Sequence, residues 1–382
     1  VMCSNTTGCY NHALGRNTLM DNTTGCYSTA IGQQALQNSS ATGDTGNTAV
    51  GALALYENTS GTNNTGLGRL ALYSNTTAAN NTAVGVCSLY TAQGGGANTG
   101  VGVNSLKGVT TGISNTGVGV SAGLNITTGT NNLALGKSAL VFTTTGSHNI
   151  ALGEDSVRCN TTSSYNIGIG VNALHKNTAS CNVGIGRNGA SCNTTGTNNV
   201  ALGNDALKVN TTGSKLTAIG VSALTNNTTA DNNVAIGCGA LLTNTTGASN
   251  TAVGVQALLS NTTADNNTAV GRESLCANTT GAGNSALGQS SLFKNTTGNQ
   301  NTAVGRSALI CNTTASNNTA VGFESLRANT TGTSNVAIGC GVLLDATTAN
   351  NNTAIGLGAA ANTTTGGCNT VVGMGALNTN TT

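Results

Sequence analysis

The side chains with chemical potential in this sequence are a long series of Asn-Thr-Thr triplets, twelve cysteines, three histidines and eleven acidic residues. The triplets fit the N-x-[ST] acceptor of N-linked glycan transfer, which implies an exposed turn in a secreted chain. They, or their N-T-S equivalent, place acceptors at Asn22, Asn58, Asn75, Asn160, Asn193, Asn210, Asn227, Asn244, Asn261, Asn278, Asn295, Asn312, Asn329 and Asn380. Displaced versions occur at Asn38, Asn125 and Asn362. The competing reading, compatible with the first, is an Asn/Thr ladder that satisfies the backbone of the turn. The neighbouring threonines are also candidate O-linked acceptors.

The other reactive groups are scattered. Cys9 and Cys26 share a position in successive repeats, so a stacked fold brings them close to the lower part of the Cα range for a disulfide, and a bridge is expected there. The remaining cysteines read as a mixture of buried residues, free thiols and cross-links, and no C-x-x-C spacing supports zinc or redox chemistry. Gly184 to Gly189 spell G-x-G-x-x-G, but with neither a following helix nor an acidic partner downstream this is a coincidence of the repeat. His12, His148 and His175 are far apart in sequence, with no Ser-His-Asp or Cys-His arrangement. Asp231 and Asp265 stand two repeats apart, roughly 10 Å at a strand spacing, and read as solvated turn residues. No enzyme, cofactor or metal site is expected.

What positions all of these is a strict internal phase. A glycine preceded by Val, Ile or Leu recurs in 22 copies from Gly15 to Gly373. The interval is seventeen, except for nineteen between Gly32 and Gly51 and sixteen between Gly170 and Gly186. Leu stands four places after this anchor in 18 copies, and Ala or Gly two before it in 21. The aliphatic residue before the anchor and the Leu after it are the expected core columns. Asn occupies the position four before the anchor in 20 copies. That column reads as a structural ladder, since Ala or Gly two places on prevents it from being an acceptor. Two helices do not fit in such a unit with Gly inside every apolar run. Two short strands and two turns do fit, and these predict an all-β chain, a parallel β-solenoid of 22 rungs forming one continuous repeat domain over residues 1–382. At a strand spacing of roughly 4.8 Å that is a rod on the order of 100 Å.

Composition narrows the function. Charged residues are 6%, aromatics 2%, and proline and tryptophan are absent. The net charge is +2 without any basic cluster, so nucleic acid is not an expected partner. The longest wholly apolar runs span only a few residues, such as Ala139 to Phe142, so no segment is expected to span a bilayer. The 37% hydrophobic content sits in phase, which argues against disorder.

NVAIGCGAL at Asn233–Leu241 and NTAVGVQAL at Asn250–Leu258 resemble the V-A-I-G-x-x-A head repeats of trimeric autotransporter adhesins, related repeats of which occur in tail-fibre-like proteins. The resemblance covers essentially every copy and implies a parallel β-roll, adhesion and a trimer. The present units are about three residues longer and add the NTTG turn, and no neck, stalk or membrane anchor of that family is recognisable. The expected function is a secreted, extracellular structural filament with covalent glycans along the NTT turns. Its expected partner is itself, end to end or laterally, because the phase runs into both ends of the sequence. Rungs anchored at Gly85, Gly102 and Gly136 lack the acceptor and suggest a barer lateral flank. The alternatives are an adhesin head or tail-fibre shaft in contact with a cell surface or glycan, and, as a minor reading, an ice-binding protein.

Overall fold

The structure is a computed structural model that describes residues 1–378, so Asn380 lies outside the described residues. It is an all-β, parallel β-solenoid with the seventeen-residue repeat and, among the described residues, no helix. The chain groups into two compact units, Val1–Thr194 and Thr195–Thr382. In the first, three-residue strands stack in parallel register from His12–Leu14 to Val183–Ile185. In the second they run from Val200–Leu202 to Thr370–Val372. Register is strict: Thr302, Ala303 and Val304 face Thr319, Ala320 and Val321.

Each rung holds one such strand, not the two expected; the rest of the unit is turn. The rung of Gly305 shows why. Gly305 ends the strand at φ 132°, a region open only to glycine. A Cβ there would lie 2.7 Å from the carbonyl carbon of Gly322 in the next rung. Ser307, Leu309 and Asn317 then take left-handed φ values of 59°, 53° and 63°. For Leu309 that backbone costs on the order of 1–2 kcal/mol. Its side chain is completely buried, which contributes about 1.5–3 kcal/mol and holds the residue there.

The core differs from the expectation in one column. Ala303, Ala308 and Leu309 are fully buried, together with Asn301 and Asn312, whereas Val304 points outward. Successive residues of a strand face opposite sides, and here the middle residue is the one that faces in. The interior admits a methyl group at that position and little more: at Gly66 a Cβ would already meet Leu55 Cδ1 at 3.4 Å. The aliphatic residue before each anchor is therefore a surface column, half-exposed to exposed, with Leu67 at 47% and Leu287 at 50%.

The two irregular rungs absorb their length changes in turns. The longer one forms an added strand pair, Gly25–Cys26 with Gly43–Asp44, and Ser39 takes the ladder position. The shorter one closes its turn early, so that Asn177 Nδ2 donates to Ala179 O at 2.6 Å instead of to a residue one place later.

Candidate functional site: asparagine columns and the outward sheet face

Thirteen of the expected acceptors, Asn22, Asn58, Asn75, Asn160, Asn193, Asn210, Asn227, Asn244, Asn261, Asn278, Asn295, Asn312 and Asn329, are all buried, at 2% exposure for Asn22 and 0% for the others. This corrects the expectation of an exposed turn. The amides form an interior ladder. Asn261 Nδ2 donates to Asn244 Oδ1 of the preceding rung at 2.9 Å and to Ala264 O of its own rung at 3.0 Å, and Asn278 repeats the pattern on Asn261 and Gly281. Both amide hydrogens are thus engaged in a packed interior. A glycan on Nδ2 would remove one of them and has no room. Asn5 starts the same triplet in the first rung and is exposed, but its Nδ2 is likewise held, donating to Gly8 O at 3.0 Å. Of the displaced acceptors, Asn125 and Asn362 donate Nδ2 to main-chain carbonyls one rung on, at 2.8 and 2.7 Å, and Asn38 is half-buried.

The ladder ends where the sequence changes. Asn75 Oδ1 and Asn329 Oδ1 are buried without a hydrogen-bond partner. One rung beyond them the column holds Ala92 and Ala346, which have no amide to donate.

The column four before the anchor forms the second ladder, as expected. Asn250 N–H donates to Asn233 Oδ1 at 2.8 Å, while Asn250 Nδ2 donates to Ala264 O at 2.8 Å. One carbonyl, that of Ala264, therefore receives an amide from each column, and this joins the two ladders. The left-handed residue is the one before this asparagine, not the asparagine itself: Asn63, Asn80, Asn266, Asn317 and Asn351 sit at φ 56° to 63°. These five are exposed, and each begins an N-N-T triplet. The second asparagine of the triplet fails the acceptor rule, which draws attention away from the first, which satisfies it.

The expected Cys9–Cys26 bridge is replaced by two free thiols, as are all the cysteines. Cys26 is buried and Cys9 exposed; Cys26 Sγ accepts the Cys9 backbone N–H at 3.0 Å. A hydrogen bond between the thiols, then burial and the nearby Cys26 and Asp44, push the Cys9 thiol pKa up. Burial, then Glu273, does the same at Cys276.

Asp231 and Asp265 are more than solvated. Their Oδ1 atoms accept the Ser214 and Ala248 backbone N–H groups of the preceding rung at 2.7 and 2.6 Å, a capping position that Asn299 and Asn350 fill elsewhere. The glycines of the G-x-G-x-x-G stretch lie in ordinary rung positions, and Gly186 N–H donates to Ile169 O at 2.8 Å. His148 stacks on Tyr165 with centroids 5.1 Å apart, and His175 Nδ1 lies 3.3 Å from Asp155 O. Among the described residues no three His, Cys, Asp or Glu side chains converge as metal ligands.

In each unit the outward face of the strands is a regular surface of two columns. Its first column is Thr in most rungs, as at Thr48, Thr65, Thr82, Thr99 and Thr116 of the first unit and Thr251, Thr268, Thr302 and Thr319 of the second, with Val, Ile, Leu or Ser in most others. Its second column is the Val, Ile or Leu before each anchor. Neither column holds a Lys, Arg, Asp or Glu in any described rung. Charged residues such as Arg272, Glu273 and Arg306 follow the glycine bend instead.

No family model and no curated protein matches this chain.

Proposed function

We propose that this chain is the shaft of an extracellular structural filament, assembled laterally from copies of itself through the outward Thr/aliphatic face. The observation that supports it is the exposed aliphatic column, uncharged in every described rung. Monomeric proteins rarely expose contiguous apolar patches larger than a few hundred Å², and larger ones mark association sites. A face repeating roughly every 4.8 Å is matched best by one with the same period, which another copy supplies, and stacked sheets pack about 10 Å apart. The resemblance to trimeric autotransporter heads adds a preference for three copies. Contact with a cell surface belongs to the same reading as a property of the assembled shaft. The sugar coat along the NTT turns drops out of it.

Analytical ultracentrifugation and native mass spectrometry test the proposal. The purified chain is expected to run as a multiple of its own mass. Lysine at Val253, Val270, Val304 and Val321 together is expected to release single chains with an unchanged β circular dichroism signal. A wild-type protein that stays a single chain at high concentration, or negative-stain images of compact particles alone, would sink the filament. The regular Thr column favours a second reading in that case: aligned hydroxyl and methyl groups that order water. That reading requires thermal hysteresis from the single chain.

A further inference from the structure

We propose that Asn63, Asn80, Asn266, Asn317 and Asn351 are N-glycan acceptors of this chain. The assignment rests on the extracellular reading above, but moves the modification to residues that the NTT pattern does not include.

Three observations converge on them. Each has Thr two places on, at Thr65, Thr82, Thr268, Thr319 and Thr353, as the acceptor requires. Each is exposed at a left-handed turn, and those threonines lie on the outward strand face, exposed at Thr268 and half-exposed at the others. The main chain there is anchored without the side chain: Asn266 N–H donates to Ala248 O at 3.1 Å and Asn317 N–H to Asn299 O at 3.0 Å. Among the described residues no hydrogen bond holds the five side-chain amides, in contrast to the doubly engaged NTT column. A sugar on Nδ2 therefore displaces nothing that the fold needs.

The step is a group transfer from a lipid-diphosphate-linked oligosaccharide. Nδ2 forms a bond to the anomeric carbon, the bond from that carbon to the diphosphate oxygen breaks, the lipid diphosphate leaves and the amide gives up one proton. No oxidation or reduction is involved. The turn column contains its own control. Asn131, Asn198 and Asn232 are equally exposed left-handed residues of the same column, but Leu133, Val200 and Val234 stand where the acceptor needs Ser or Thr. Spacing sets occupancy. Asn63 and Asn80 lie one rung apart, roughly 4.8 Å, and compete for space. The rungs flanking Asn266 carry Ser249 and Gly283 in this column.

The test is intact-glycopeptide mass spectrometry on the full chain, secreted in folded form from a eukaryotic host that supplies the transferase. Glycans are expected at Asn266, Asn317 and Asn351 and on one of Asn63 and Asn80 in most molecules. None is expected at Asn131, Asn198, Asn232 or the buried NTT asparagines. Folded protein bare at all five sites, or carrying glycan on Asn58, Asn75, Asn244 or Asn261, overturns the proposal. The mass of the assembly, measured on the same preparation after glycan removal, tests the filament separately. An assembled but unglycosylated chain defeats this assignment alone, and a glycosylated single chain defeats the filament alone.

Discussion

Asn261 and Asn266 stand five residues apart in one rung, and both begin an N-x-T triplet. Asn261 is fully buried, with two hydrogen bonds from its Nδ2 and one to its Oδ1; Asn266 is exposed at φ 59° and holds the turn through its main chain. The same residue type within the same short pattern is structural at one position and free for outside chemistry at the other. What separates them is the side of the backbone on which the turn places Cβ.

The sharpest way to break that contrast is to truncate both. Asn261→Ala removes two donors, leaves Asn244 Oδ1 buried without a partner and takes one partner from Ala264 O, so a loss of about 2–4 kcal/mol is expected in urea unfolding. Asn266→Ala breaks no side-chain hydrogen bond and is expected to cost no more than about 1–2 kcal/mol, the penalty of a left-handed alanine. Equal losses at the two positions would mean that the interior ladder does not stabilise the fold.

A parallel contrast runs across the strand. Ala303→Leu overfills the interior and is expected to destabilise the second unit by about 1–3 kcal/mol. Val304→Thr, one residue on and facing out, should leave unfolding of the single chain within about 0.5 kcal/mol, measured in the dissociated background so that assembly does not contribute. If Val304 were the sensitive position, the assignment of inner and outer columns would be reversed.

The smallest expected effect is a gain. Asn329 Oδ1 is buried without a partner, and Ala346→Asn places an amide opposite it. Stability is expected to rise by about 0.5–1.5 kcal/mol, read as a shift in the urea midpoint. A destabilised variant would show that the site cannot hold the larger side chain and that the ladder stops there for lack of room.

The parallel solenoid, its period and the ladder four before the anchor were legible in the sequence, because stacking makes a column of identical residues a direct record of one position in space. Sidedness was not legible. In Thr302-Ala303-Val304 the bulkier aliphatic residue invites the reading of a core position, and only the narrowness of the rung, set by Leu309 and two amides, turns the small residue inward. Asn312 was misplaced for the same reason. A polar residue in an N-T-T turn suggests solvent unless the turn is known to bring a carbonyl, here Ala315 O at 3.0 Å, within reach of its amide. Asn317 is hidden by its neighbour, since the second asparagine of N-N-T belongs to the ladder column and fails the acceptor rule. The Cys9–Cys26 pairing followed from column identity, but a shared column fixes Cα spacing and not where each sulfur points.

The ladders and strand pairings described for each unit join a rung to its neighbours and to no other, which has a consequence for the gene. Within a run of regular rungs, an in-frame gain or loss of seventeen codons restores the pairing register that it interrupts, because the residue that arrives stands in the same column as the one that left. Unequal recombination between near-identical repeats generates such changes readily. Homologous alleles are expected to differ in whole rungs, with other lengths confined to the turns that already hold one residue fewer, before Asn182, or two more, before Asn47.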